Sequence, residues 1–148
     1  MLGKNWRGKE QTLEIDGEKI PVYPVGLFIK YVMMKEGEAS PYDIYKRIKE
    51  IRSKYMVTRW KRYSYQYIIN MFYWLRRLGY IKISRTEMAR SRSGAKLHRK
   101  DFHVLTPKGK AERRGWINPF RSLYPETYKK AREKQKLKRK KSSDSPQR

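Results

Sequence analysis

The stretch SYQYIINMFYWLRRLGYIKISR, residues 64–85, changes its hydrophobic period partway along, and that change constrains the fold more than any other feature. Ile68, Met71, Phe72, Leu75 and Leu78 recur at helical spacing, Ser64 stands at the cap position and Gly79 at the end. The following YIKISR alternates as a strand does. A helix with one apolar stripe buries that stripe and turns its other face outward. Here the other face carries Gln66, Ile69, Asn70, Tyr73 and Arg77.

The rest of the chain supplies elements that could cover the stripe. TLEIDGEKIPVYP reads as a hairpin around Asp16-Gly17, and a four-residue loop Asp16 to Lys19 pairs Ile15 with Ile20 and Leu13 with Val22. A first helix is expected from Pro24 to Glu36, closed by Gly37, with Leu27, Phe28, Tyr31, Val32 and Met34 largely buried. The second helix has Ser40 as cap, Pro41 at its first position and Asp43 completing an S-x-x-D box, with Ile44, Ile48 and Ile51 facing inward. A basic and aromatic connector, SKYMVTRWKRY, then leads to the 64–85 stretch, and its YMVT could form a short strand. YIKISR and DFHVLT read as two strands joined by the long loop TEMARSRSGAKLHRK. TPKGKAERRGW restarts as a short helix with Thr106 as cap. INPFRSLYPETY is an aromatic, proline-marked segment, and the last twenty residues form a basic tail expected to be disordered on its own, or helical only to about Lys141. The fold class expected is α+β.

Charge limits the partners. The 148 residues carry a formal net charge of +24, which points to a polyanion and to nucleic acid ahead of an anionic membrane surface. The excess is uneven: residues 1–43 hold six cations and seven acids, so the other 105 residues hold a net +25. There is no cysteine, which removes disulfides, thiolate metal sites and a cysteine nucleophile. PVGLFIKYVMM is interrupted by Lys30 and falls short of the roughly 20 apolar residues that span a bilayer. With no secretory pattern at the N-terminus, the expectation is a non-secreted, cytoplasmic protein, associated with nucleoid or ribosome.

The order helix, capped helix, helix, strand, basic loop, strand resembles the winged helix-turn-helix superfamily. WLRRLGYIKISR is similar to that family's passage from recognition helix into wing, and FHVLTPKGKAE to its exit from the wing. The resemblance covers residues 24–115, flanked by an N-terminal arm (1–23) and a C-terminal extension (116–148). It implies a three-helix core with a two-stranded wing, the third helix entering the DNA major groove. A groove about 12 Å wide admits one α-helix. Gln66, Ile69, Asn70 and Tyr73 would then be base-reading residues. The amides of Gln66 and Asn70 suit adenine, whereas Ile69 and Tyr73 equally suit packing on another subunit, and a homodimer is compatible with such a protein.

Arg59, Lys61, Arg62, Tyr63, Ser64 and Arg77 are candidates for backbone contacts, with Arg76 and Arg77 equally placed to complement the helix dipole. Trp60 and Tyr63 fit a core plug as well as a nucleic-acid contact. In the wing, Arg90, Arg92, Lys96, His98, Arg99 and Lys100 suit a narrow minor groove. In the tail, Lys134, Lys136, Lys138, Arg139, Lys140 and Lys141 suit phosphates of DNA or of folded RNA. His98 and His103 lack the carboxylate or thiolate company of a metal site, and no phosphate-cradling glycine loop, paired nucleophile and base, or carboxylate cluster is legible. No cofactor, metal or catalysis is expected. Two partners remain open. Duplex DNA, bound by a transcriptional regulator, is favoured by the Gln/Asn face. Structured RNA in a ribonucleoprotein is favoured by the aromatic content and basic extension, and LTPKG is similar to a stretch in one small-subunit ribosomal protein.

Overall fold

The computed structural model describes residues 10–55, 63–90, 94 and 97–144. The described residues form an α+β structure of seven helices and two antiparallel two-stranded sheets. In order these are β1 (Gln11–Ile15), β2 (Glu18–Tyr23), α1 (Val25–Glu36), α2 (Pro41–Tyr55), α3 (Tyr65–Arg77), β3 (Ile81–Arg90), β4 (Leu97–Leu105), α4 (Pro107–Ala111), α5 (Arg114–Ile117), α6 (Pro119–Leu123) and α7 (Pro125–Asp144). The YMVT segment of the connector lies outside the described residues.

Local signals translate directly at the helix starts. The Ser40 hydroxyl accepts from the Asp43 N–H at 3.2 Å, the Ser64 hydroxyl from the Tyr67 N–H at 3.1 Å, and the Thr106 hydroxyl from the Gly109 N–H at 3.0 Å. The inward stripes meet in one core, in which Phe28, Ile29, Val32, Ile44, Ile48, Ile68, Phe72 and Leu75 are essentially inaccessible. In α1 the buried face runs through Val25, Phe28, Ile29, Val32 and Met33, so the expectation for Met34 is corrected: it is 61% exposed. With about 100° per residue, Met34 lies opposite Val25, and its neighbour Met33 takes the inward position.

The first hairpin also differs from its expected form. Its ladder pairs Ile15 with Glu18 and Leu13 with Ile20 across a two-residue turn, not a four-residue loop. Asp16 and Gly17 both have positive φ, 50° and 79°, the twist that suits two-residue hairpin turns. The two registers differ by two residues, and a two-residue shift keeps every side chain on its face. The apolar pattern therefore cannot distinguish them, and the turn does.

The second hairpin is longer than its alternation suggests. Its ladder continues through Thr86↔Asp101, Glu87↔Lys100, Met88↔Arg99, Ala89↔His98 and Arg90↔Leu97, with an irregularity between Ile83 and Arg85. Most of the segment expected as a loop is thus paired strand, leaving 91–96 between the strands. Its outer part is exposed to solvent, so no apolar alternation marks it. Polar cross-strand pairs hold it, including the Thr86 hydroxyl donating to Asp101 at 2.7 Å.

Beyond β4 the chain returns to the core. Trp116 is fully buried, stacks on Tyr80 at 5.8 Å between ring centroids, and donates its indole N–H to the Gly109 carbonyl at 2.9 Å. A Cβ on Gly26 would stand 1.7 Å from the Trp116 carbonyl oxygen, so only glycine lets α5 lie this close to α1. Lys30 caps the contact, its ammonium donating to the carbonyls of Glu112 at 2.6 Å and Lys110 at 3.1 Å. Burial dominates in pushing the Lys30 pKa down, with Arg113 adding to it and Glu112 opposing. Val22 and Trp116 both belong to the core cluster, so the packed unit reaches beyond residues 24–115 on both sides. The helix α7 runs to Asp144, past the expected end near Lys141, and packs against α6. Replacing Trp116 with Ala should remove about 3–5 kcal/mol of stability, read from the midpoint of urea unfolding, because a large side chain and its hydrogen bond are removed from a site that cannot collapse.

Candidate nucleic-acid interface

In α3, the side toward the core carries Ile68, Met71, Phe72 and Leu75, all buried. The other side is open: Gln66, Asn70, Tyr73 and Arg77 are exposed and Ile69 is half-buried. Gln66 Nε2 donates to Asn70 Oδ1 at 3.1 Å, a bond between side chains one turn apart. With that assignment the linked pair keeps Gln66 Oε1 as an acceptor and the Asn70 amide N–H groups as donors, facing the same side of the helix. An acceptor and a donor are the two group types that the adenine major-groove edge pairs with.

The two arginines at the end of α3 have different positions. Arg77 is exposed, whereas Arg76 Nη1 lies 2.8 Å from His103 Nε2. Guanidinium only donates, so Nε2 is the acceptor and the imidazole proton sits on Nδ1. The His103 ring is fully buried, meets Phe72 edge-on at 4.9 Å between ring centroids, and has its pKa lowered to about 4, first by burial and then by the charge of Arg76. Its backbone pairs with Ala39 in both directions, at 2.8 and 3.0 Å. Arg76 is therefore spent on joining α3 to the hairpin.

The hairpin cations are likewise sorted. Lys100 Nζ is 2.9 Å from Asp43 at the start of α2, and Arg99 is 2.8 Å from Asp101. Burial alone would raise the Asp43 pKa, but Lys100 and the Ser40 cap outweigh it, and the carboxyl is held below its usual value. Arg85 spreads over the Phe102 ring at 3.8 Å, grips Glu38 through Nε at 3.0 Å and Nη2 at 2.5 Å, and also bonds Glu87. The Arg85 contact holds the Glu38 carboxyl below its usual range. These contacts dock the root of the hairpin onto the α1–α2 junction. Towards the tip, Arg90 and His98 are exposed.

Tyr63, a candidate for a backbone contact, is half-buried, stacked on Tyr67 at 4.9 Å and packed against the core. Ser64 is exposed, with its hydroxyl engaged in the cap. On α7, Lys134, Lys136, Lys138 and Arg139 are exposed, and Lys140 and Lys141 continue the helix backbone. Arg59, Lys61, Arg62, Arg92 and Lys96 lie outside the described residues. Sequence reasoning missed Tyr42, Tyr45 and Tyr65, which gather where α2 meets the start of α3. The i, i+4 pairs Tyr42/Lys46 and Tyr45/Lys49 were the available signal.

Among the described residues no group of three or more His, Asp or Glu is arranged to hold a metal ion, and no helix is long and apolar enough to cross a membrane. One cleft of about 350 Å³ sets Asp16 and Glu50 among Lys35, Arg47 and Lys54, and another of about 360 Å³ is walled by Tyr23, Tyr63, Tyr67, Trp74 and Phe120.

The buried His103 makes stability depend on pH. Between about pH 6.5 and about pH 4 the unfolded chain takes up a proton at this ring that the folded chain refuses, so stability should fall as pH drops through that window. The loss attributable to His103 should be about 3 kcal/mol. Urea unfolding across this range should show a shallower pH slope in His103→Gln, which keeps an acceptor for Arg76 but no titrating ring.

In comparisons with protein-family models, with curated proteins and with solved structures, nothing matches this chain.

Proposed function

We propose that this chain has a winged helix-turn-helix fold and acts as a sequence-reading DNA-binding protein, a transcriptional regulator inside the cell, with no catalytic activity of its own. The observation that carries the reading is the two-sided character of α3. Four side chains anchor it in the core while Gln66, Asn70, Tyr73 and Arg77 stand exposed on the other side, Gln66 and Asn70 linked by a hydrogen bond. In this reading α3 enters the major groove, and β3–β4 is the wing, whose exposed Arg90 and His98 reach the neighbouring backbone or minor groove. Helix α7 supplies sequence-independent attraction. It is about 30 Å long at 1.5 Å per residue and carries nine Lys and Arg against three acids. The net charge of +24 supports a polyanionic partner in general.

The same basic helix and the exposed tyrosines also favour a second reading, a ribonucleoprotein component that uses the fold as a platform on structured RNA. Competition by fluorescence anisotropy separates the two. A randomised duplex pool is set against structured ribosomal RNA fragments at low and near-physiological salt. An enriched duplex that outcompetes RNA at the higher salt is the expected result. RNA winning with no duplex enriched would replace the first reading with the second.

Two variants test the parts. Replacing Gln66 and Asn70 together with Ala should reduce discrimination between the selected duplex and random duplex by about 1–3 kcal/mol while leaving most non-specific binding. Equal weakening on all duplexes would remove these residues as base readers. Deleting residues 129–148 should weaken binding to every sequence and flatten the plot of log affinity against log salt by about 0.9 for each phosphate that the tail neutralises. An unchanged slope would make the tail a bystander.

A further inference from the structure

Tyr42 and Tyr45, on the first turns of α2, meet Tyr65, the first residue of α3. The Tyr45 and Tyr65 rings stack at 5.5 Å and 23°, and Tyr42 meets Tyr65 edge-on at 5.9 Å and 69°. Large aromatic rings ordinarily bury most of their surface. Here Tyr42 is 46% exposed and Tyr65 40% exposed. The packing of these rings on one another does not close the cluster off.

Cations frame it. Lys46 Nζ lies 5.9 Å from the Tyr42 ring centroid and Lys49 Nζ 5.5 Å from that of Tyr45, both exposed. Of the two acids nearest them in sequence, Asp43 is answered by Lys100, and Glu50, exposed, follows Lys49, so with Lys46, Lys49 and Lys100 the patch presents ring faces and a net positive charge. The Tyr65 phenol is held above its usual pKa, by burial first and by Tyr42 next, and stays neutral at physiological pH. Tyr65 also directly precedes Gln66, so the cluster borders the open side of α3 at its N-terminal end.

We infer that Tyr42, Tyr45 and Tyr65 form a stacking platform for one unpaired nucleobase, with Lys46 and Lys49 on its phosphates, adjoining the duplex held by α3. The chemistry is that of single-strand recognition, in which ring faces stack bases of any identity and lysines follow the backbone. The base lies on the open face of Tyr42, and the Lys46 ammonium now over that ring turns to a phosphate. A partner with an unpaired base next to its duplex, such as a junction, a bulge or a strand end, engages both surfaces at once. This rests on the reading that α3 binds a duplex. The base could belong to DNA or to RNA, since both offer the same ring and phosphate.

The test uses the full chain with a blunt duplex and with the same duplex bearing a short single-stranded extension, in DNA and RNA versions, with 2-aminopurine at the first unpaired position. The extension should tighten binding by roughly fivefold or more and quench the 2-aminopurine fluorescence. The version that gains identifies the source of the base. Tyr42→Leu should abolish both effects, Tyr42→Phe should keep both, and Lys46→Gln should reduce the gain while leaving the quench. An extension that changes neither affinity nor fluorescence in either version overturns the platform, as does a gain that survives both Tyr42→Leu and Lys46→Gln. In those cases intact binding of the blunt duplex leaves the role of α3 standing. Absence of binding to blunt and extended duplexes alike overturns both.

Discussion

The buried residue His103 ties together the elements on which the exposed surfaces depend. Its backbone pairs with Ala39 between α1 and α2, its ring packs against Phe72 of α3, and its Nε2 accepts from Arg76 at the end of the same helix. One position in β4 thus touches the junction of the first two helices and the inner face of the third. Because the ring is buried and neutral, the guanidinium beside it has an acceptor without a second charge having to be desolvated. The angle between α3 and the hairpin, and hence which surfaces can meet one ligand, follows from this joint.

Around the joint, ionic contacts fix the hairpin root and withdraw cations from the surface that composition alone would leave free. Arg85 is held by Glu38 and Glu87 over Phe102, and Lys100 by Asp43. All are partly exposed, where a single pair contributes little, so their role is to set geometry rather than to add stability. Four of the chain's fourteen acids act at this docking point: Glu38 between α1 and α2, Asp43 on the first turn of α2, and Glu87 and Asp101 on the two hairpin strands. Among the described hairpin residues, Lys82 near the root and Arg90 towards the tip are exposed.

The C-terminal segment has two roles that composition alone blurs. Trp116 and Phe120 are anchors, the first stacked on Tyr80 and wedged against Gly26, the second against Trp74. Beyond Pro125 the chain becomes a basic helix with almost no apolar side chain to bury, projecting cations rather than completing a core. The change occurs within ten residues and coincides with the last aromatic pair, Phe120 and Tyr124, after which the Tyr128 ring meets Arg121.

The sequence by itself determined the features that neighbours along the chain decide: the caps at Ser40, Ser64 and Thr106, the inward stripes of α2 and α3, and the outward set Gln66, Asn70, Tyr73 and Arg77, though Ile69, read with that set, is half-buried. Each depends on a hydrogen bond or a helical period spanning a few residues. Only tertiary structure decided the register of the first hairpin, the exposure of Met34, the full length of β3–β4, the burial of Trp116 and the meeting of Tyr65 with Tyr42 and Tyr45. It also decided that Arg77 is open while Arg76 is spent on His103, although the two are adjacent and chemically identical. The physical reason is common to these cases: a two-residue register shift preserves the apolar pattern, a solvent-exposed ladder has no such pattern, and a cation's availability depends on which acceptor a distant segment brings to it.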